Sequence, residues 1–302
     1  MAPSRVLVTG AAGFVGSHLH DVLAADGAEI RGPSRAELEL LDPAATRGAV
    51  RDARPDAVFH LAALASVGRS WDDPAQTIDK NTRATLNLLE AVRAEAPEAV
   101  VVVAGSGEEY GPVPEERLPV AETEPLRPQN PYAVSKAAAG LVAGFYADAH
   151  GLRIVRTRAF NHAGPGQSDA YVVSAFARQI AAAERAGRSE LVLETGSLDP
   201  RRDFCDVRDV VRAYALLAER GEPGIFNVCS GVSVPVRDIL AGLARSTDVA
   251  VEQRTDPARL RTHEVMDIRG SHERLTEATG WQPVVGLGTT LADTLDWWRA
   301  HG

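Results

Sequence analysis

The chain has 302 residues, 45% hydrophobic and 24% charged, the balance of an ordinary globular protein with room for one large core or two modest ones. Its net charge of -9, from 32 Lys and Arg against 41 Asp and Glu, argues against broad nucleic-acid binding but not against a local basic pocket for phosphates. No apolar run reaches the roughly 18 residues of a membrane span, and two cysteines, Cys205 and Cys229, in apolar surroundings make neither a disulfide framework nor a cysteine zinc site.

The N-terminal MAPSRVLVTG runs straight into a strand, with no basic stretch followed by an apolar one. Export is not expected, and the cytoplasm is the expected address. Val6-Leu7-Val8 reads as a buried strand, and residues 13–25 as a helix with Phe14, Leu19, Val22 and Leu23 on its apolar face. Strand Ala57-Val58-Phe59 follows, then a helix over 77–94 and a strand over 99–103. A long Ala-rich helix over 132–149 leads into a strand over 152–157. This alternation predicts right-handed βαβ units and a parallel sheet covered on both faces. After Phe160 the pattern changes. NHAGPGQ (161–167) reads as a turn-rich loop, 172–184 as a helix, 191–193 as a strand, and DPRRDF as a basic segment. Residues 207–218 read as a helix, 225–228 as a strand, and the tail alternates weakly. The expected fold is α/β. A doubly wound parallel sheet occupies 1–160 and is completed by 203–230. A smaller C-terminal substrate-binding lobe comes from 161–202 and 231–302.

Two groups of residues carry chemistry. The first is Gly10-Ala11-Ala12-Gly13-Phe14-Val15-Gly16 between the first strand and first helix. There Gly10 permits a tight turn, Gly13 admits a pyrophosphate to the backbone, and Gly16 lets helix and strand pack closely. The helix N-terminus adds free N–H groups. Such a loop holds a dinucleotide. Past the second strand, Ser34 and Arg35 suit a 2′-phosphate, so NADP(H) is favoured, with NAD(H) as the alternative. The second group is Tyr132 and Lys136, which share a helix face at i and i+4. A nearby ammonium is expected to lower the phenol pKa, so that Tyr132 exchanges a proton with a sugar oxygen while hydride moves at the same carbon. Ser106, just past the strand over 99–103, can hydrogen-bond that oxygen. The histidines His60 and His162 read as packed or positioning residues, and no His/Cys/Asp spacing suits a metal.

Together with Leu61-Ala62-Ala63 after a strand and Asn81, these motifs resemble the extended short-chain dehydrogenase/reductase family, of the NAD-dependent epimerase/dehydratase type, along essentially the whole chain. The resemblance implies a Rossmann sheet, with Ser106, Tyr132 and Lys136 as catalytic residues. It implies cofactor contacts from Leu61, Ala62, Ala63, Asn81 and the loop after Phe160. Glu39-Leu40 stands where the family usually has an Asp near the adenine, and Gly107 where it usually has a second serine. On the substrate side, Asn161 to Gln167 resembles members acting on GDP-sugars. Arg202, in RDFCDV, resembles a grip on the sugar-nucleotide diphosphate, and Arg261 with Glu264, in LRTHEV, a second grip on phosphate and ribose. The implied activity is NADPH-dependent reduction of the C4 ketone of a GDP-4-keto-6-deoxy sugar. A 4,6-dehydratase with Glu108 as base and a 4-epimerase are the alternatives within the family. The N-terminal GFVGSHL differs from the GQDGSYL usual in the dehydratases. A non-catalytic dinucleotide sensor is the alternative outside it, one with no use for Tyr132 and Lys136. The family also pairs two helices, here 77–94 and 132–149, into a four-helix bundle between copies, so a homodimer is expected.

Overall fold

The structure is a computed structural model and describes residues 2–259 and 265–302. Strand β1 (Arg5–Thr9), helix α1 (Phe14–Ala25), β2 (Glu29–Arg31), α2 (Pro43–Ala53), β3 (Ala57–His60), α3 (Pro74–Glu95), β4 (Val100–Ser106), α4 (Pro131–His150) and β5 (Arg153–Ala159) alternate through the first half. Then come β6 (Asn161–Ala163), α5 (Val172–Arg185), β7 (Glu190–Thr195), β8 (Arg201–Asp206), α6 (Val207–Arg220) and β9 (Gly224–Val228). The C-terminal part adds β10 (Ser233–Pro235), α7 (Val236–Ala244), β11 (Ala250–Thr255), β12 (Asp267–Ile268), α8 (Glu273–Thr279) and α9 (Leu287–His301).

The main sheet has six parallel strands in the order β2-β1-β3-β4-β5-β9. Its central strands are apolar on both faces because helices cover both. One face packs Leu19, Leu23, Val210, Val211 and Leu217 from α1 and α6, with Trp281 beyond them. The other packs Val50, Leu88, Leu89, Val92, Ala143 and Tyr146 from α2, α3 and α4. The chain leaves β1 for β2 on one side and then returns to β3 on the other. A crevice therefore opens between the C-terminal ends of β1 and β3, where open α/β sheets place ligands. This is the doubly wound Rossmann arrangement.

Most expected elements are present within a few residues of their expected bounds. Three differ. The segment read as the loop NHAGPGQ begins with strand β6, whose register pairs Asn161 with Phe204. The basic segment DPRRDF runs into strand β8, the centre of a second sheet with β10 and β12. Asn, His and Arg are poor strand formers, and here pairing between distant segments overrides that preference. Helix α2 went unread because only Thr46, Val50 and Ala53 along it are buried. Asp42 caps it, accepting from the N–H groups of Ala44 and Ala45.

The second sheet sits over the C-terminal ends of the main one, backed by α5, α7 and α9 around Phe176, Ile180, Leu243 and Leu295. Buried carboxylates join the two layers. Asp203 accepts from Ser230 N and Oγ (2.7 and 2.6 Å), Gly231 N (3.0 Å) and Gly270 N (3.2 Å). Asp206 caps α6 and accepts from the Thr290 hydroxyl of α9 (2.7 Å). Asp209 accepts from Val284 and Val285 N (2.9 and 2.8 Å), and its carbonyl accepts from the Trp281 indole. No described helix is long and apolar enough to cross a membrane.

Candidate active site

A cavity of about 1050 Å³ lies between the C-terminal ends of β1, β3, β4 and β5 and the second layer. Every described candidate residue lines it: Gly10, Gly13, Phe14, Val15, Gly16, Ser34, Arg35, Leu61, Ala62, Ala63, Asn81, Ser106, Glu108, Tyr132, Lys136, Asn161 and Arg202. Arg261 and Glu264 lie outside the described residues.

At one end the glycine loop turns β1 into α1. Gly10 has a φ of 79°, and a Cβ there would stand 2.8 Å from the Ala62 nitrogen. A Cβ on Gly16 would stand 2.3 Å from the Gly10 carbonyl oxygen, so only glycine lets α1 come this close to the turn. Helix α1 starts from Gly13 with no side-chain cap and no acidic residue in its first turn. Its N-terminal N–H groups and partial positive charge therefore face the cavity uncompensated, which suits a pyrophosphate. Phe14 stacks on His162 at 6.0 Å between ring centroids, tying α1 to the segment after β5. His162 faces the Phe160 carbonyl through Nδ1 (3.1 Å), and burial lowers its pKa. Arg35 lines the same end. The neighbouring Ser34 N–H donates to Glu37 (2.8 Å).

Loops 61–65 are braced from behind. The Asn81 side chain accepts from Leu64 N (2.8 Å) and donates to the Leu64 carbonyl (3.2 Å) and the Ser135 hydroxyl (2.8 Å). It thereby ties α3, this loop and α4 together. His60, at the end of β3, lies between the hydroxyls of Thr9 (2.8 Å) and Thr85 (3.1 Å); burial drives its pKa down to about 3, with Lys136 adding a smaller push.

The centre of the cavity holds Ser106, Tyr132 and Lys136. Ser106 ends β4, and its hydroxyl accepts from the N–H of Glu108 (3.2 Å), starting a 3₁₀ turn over Gly107–Tyr110. Asn130 caps α4 through Ala133 N (2.8 Å), Pro131 opens the helix, and Tyr132 and Lys136 follow one turn apart. The Asn130 amide also donates to the Glu108 carboxylate (3.1 Å). Lys136 donates to the Ala104 carbonyl (2.7 Å), with Nζ 5.9 Å from the centroid of the Tyr132 ring.

The electrostatics correct one expectation. The Tyr132 pKa is raised here, not lowered. Burial raises that phenol above its ordinary range. The Ser106 hydroxyl opposes the rise, while Tyr171, Glu109 and Glu108 add to it. The lysine spends its reach on Ala104, and burial pulls its own pKa down to about 8 against the attraction of Glu109. Tyr132 is thus held as a phenol.

Two further residues belong to the site and carry no motif of their own. Tyr171, at the start of α5, leans over the cavity with its hydroxyl 3.4 Å from the Ala65 carbonyl. Glu109 is buried beneath Ser106 and paired with Arg158 at 3.2 Å. The doubled glutamate in GEEYG marks this stretch, but only the turn geometry separates the cavity-lining Glu108 from the buried Glu109. At the far end, Arg202 on β8 lines the cavity while donating to the Val265 and Arg201 carbonyls (2.7 and 2.8 Å). Among the described residues no cluster of His, Cys, Asp and Glu could hold a metal.

Comparison with known proteins agrees with this geometry. The model of the NAD dependent epimerase/dehydratase family matches residues 6–229. The chain is 41% identical over 301 residues to GDP-6-deoxy-D-mannose reductase of Pseudomonas aeruginosa, with 98% of each chain covered. It superposes on the structure of RMD from Pseudomonas aeruginosa complexed with NADPH with a TM-score of 0.89, at 37% identity and covering 99% of this chain and 100% of that one. The Thermus thermophilus UDP-glucose 4-epimerase complexed with NAD gives a TM-score of 0.88 at 34% identity, with 99% and 100% covered.

The buried lysine carries a cost. In the unfolded chain Lys136 keeps its proton up to about pH 10.5, whereas in the folded protein it loses it near pH 8. The unfolded state therefore binds more protons between these values, and folding stability rises with pH across that window. Lys136→Met should be more stable than the parent at pH 7, by about 2 kcal/mol after the lost hydrogen bond to Ala104 is deducted. Denaturant melts from pH 6 to 11 should show this advantage shrinking between pH 8 and 10.5. A variant less stable than the parent at pH 7 would contradict the argument.

Proposed function

The chain belongs to the NAD dependent epimerase/dehydratase family, and we propose that it reduces the C4 ketone of a GDP-4-keto-6-deoxy sugar with NADPH, forming GDP-D-rhamnose. The observation that carries this reading is the 41% identity to GDP-6-deoxy-D-mannose reductase across nearly the whole of both chains. The glycine turn and the uncapped α1 N-terminus fit a dinucleotide, with Ala62 and Ala63 as its floor. When bound, NADPH supplies the hydride that adds to the carbonyl carbon.

The chain's residues do the rest. Tyr132, a full phenol at neutral pH, donates its proton to the ketone oxygen as the carbon–oxygen double bond becomes an alcohol. Ser106 donates a hydrogen bond to that oxygen and orients it. The Lys136 ammonium, one turn along α4, offsets the negative charge left on Tyr132 and would help hold the nicotinamide ribose of a bound cofactor. Glu108 and Asn161 meet the sugar, and Arg202 grips the diphosphate, so remote binding energy positions the reacting carbon. Arg261 and Glu264 complete that grip by family resemblance. Ser34 and Arg35 hold the 2′-phosphate that favours NADP(H) over NAD(H).

On this reading residues 1–160 with 203–230 bind the cofactor, and 161–202 with 231–302 bind the sugar nucleotide. A homodimer goes with it. Leu86 on α3 and Val134, Leu141 and Phe145 on α4 stand exposed on two helices that pack together, Leu141 at 68% and Phe145 at 59%. A second copy of the same pair would cover them. The buried free thiols of Cys205 and Cys229 suit a cytoplasmic location.

Light scattering at micromolar concentration should give the mass of two chains, and Leu141→Glu with Phe145→Glu should give one; a monomeric parent removes the dimer. Arg35→Ala should weaken NADPH more than NADH, shifting their affinity ratio about tenfold or more for a charge-assisted contact of ~1.5–3 kcal/mol. Equal losses would remove Arg35 from the phosphate site. Given GDP-4-keto-6-deoxymannose, the protein should consume NADPH. Given GDP-mannose, it should leave both sugar and cofactor unchanged. Tyr132→Phe should lower turnover about 10²–10⁴-fold with little change in sugar-nucleotide affinity. Conversion of GDP-mannose with the keto sugar untouched would instead mark a dehydratase with Glu108 as its base.

A further inference from the structure

Beneath the wall that carries Ser106 and Lys136 lies a buried charged network for which the reaction above has no stated use. Glu109 is 3% exposed. One carboxylate oxygen accepts the N–H of Ser106 at 2.7 Å, and the other faces Arg158 Nε at 3.2 Å. The carboxylate presses so close under β4 that a Cβ on Gly105 would stand 2.5 Å from it. Arg158, from β5, is fixed in turn by the Tyr110 hydroxyl (3.0 Å) and the Glu122 carbonyl (3.2 Å). The Tyr110 hydroxyl donates to Asn227 of β9 (2.7 Å). Glu109 therefore has no room to turn away.

Lys136 shares a wall with this network. A cavity of about 30 Å³ lies among Glu109, Lys136, Gly140, Arg156 and Arg158. That is room enough for a buried water, and its charged lining offers such a water several partners. The groups facing Lys136 come from four elements: Tyr132 on its own helix, His60 from β3, Glu109 from the 3₁₀ turn, and Arg156 with Arg158 from β5. Tyr132 and His60 are neutral, and the two arginines share the charge of an ammonium. Glu109 is the one carboxylate among them; burial raises its own pKa, and the Ser106 N–H and Arg158 oppose the rise.

A buried ion pair adds little net stability over an apolar pair of the same shape, so packing alone gives no reason for one at this position. We propose that Glu109 is a positioning residue for the reaction proposed above: it fixes the backbone of Ser106 from below and, across the water-sized cavity, keeps Lys136 charged. The inference rests on that reading for the roles of Ser106 and Lys136. Glu109 is the charged neighbour that raises the Lys136 pKa against burial, and Arg158 makes no comparable contribution.

The test needs neither cofactor nor substrate. Melts of the Lys136 and Lys136→Met proteins are compared across pH in the Glu109 and Glu109→Gln backgrounds. Glutamine keeps an acceptor for the Ser106 N–H and removes the charge. The pH at which the Lys136→Met advantage begins to close should fall by about one unit in the Gln background, the shift expected on losing a nearby opposite charge. Where Glu109→Gln alone does not fold, Glu109→Gln with Arg158→Met leaves no unpaired guanidinium inside and should give the same downward shift. In the working enzyme the alkaline limb of kcat/KM should move the same way. An unmoved closing pH in the folded variant overturns the proposal. An absence of turnover on the keto sugar overturns the reductase reading and leaves this measurement standing.

Discussion

The cavity depends on a carboxylate with no ion-pair partner among the described residues. Asp203 sits at the centre of the second sheet, beside Arg202, and meets four donors from the segments that follow β9 and β12. Burial raises its pKa and those donors lower it, Ser230 most of all. Short, directional bonds to a charged acceptor fix distance more tightly than apolar contact does. The second layer is thereby held at one height above the strand ends. Asp206 and Asp209 repeat the device at intervals of three residues, the first toward α9 and the second toward the segment before it. The opening between the layers keeps its shape because these joints are polar, specific and dry.

Within that opening, burial sets protonation in two opposite ways. It keeps Tyr132 a phenol and makes Lys136 ready to give up its proton. A site that must deliver a proton from one group and hold a cation beside it needs an acceptor-side charge to stop the second from neutralising. The fold supplies that charge from below, on a side chain that does not line the ligand space. The same helix start that places Tyr132 also restrains Glu108 through Asn130, so the two carboxylates of the 3₁₀ turn have separate neighbours.

Much of this was legible in the residues. The glycine turn, the apolar strands and the Tyr132–Lys136 spacing are local patterns, each set by a single helical or strand period, and the structure brings them to one cavity. What was not legible depends on partners far away in the chain. Strands β6 and β8 carry Asn, Asp and adjacent arginines in place of an apolar run, and find each other across some forty residues. Helix α2 buries too few side chains to show an apolar stripe. Glu109 and Glu108 are chemically the same and differ only in which way a 3₁₀ turn aims them. The direction of the Tyr132 shift likewise followed from how deeply the phenol is buried, and spacing along a helix does not contain that information.

The ring of Phe160 is confined between two glycines. A Cβ on Gly107 would come within 3.1 Å of it, and one on Gly270 within 2.6 Å. A side chain at 107 therefore needs the ring to give by a few tenths of an ångström. A side chain at 270 would meet the same ring more closely still. The two positions and the ring therefore form one coupled unit: the size of the residue at 160 decides what either glycine position can accept.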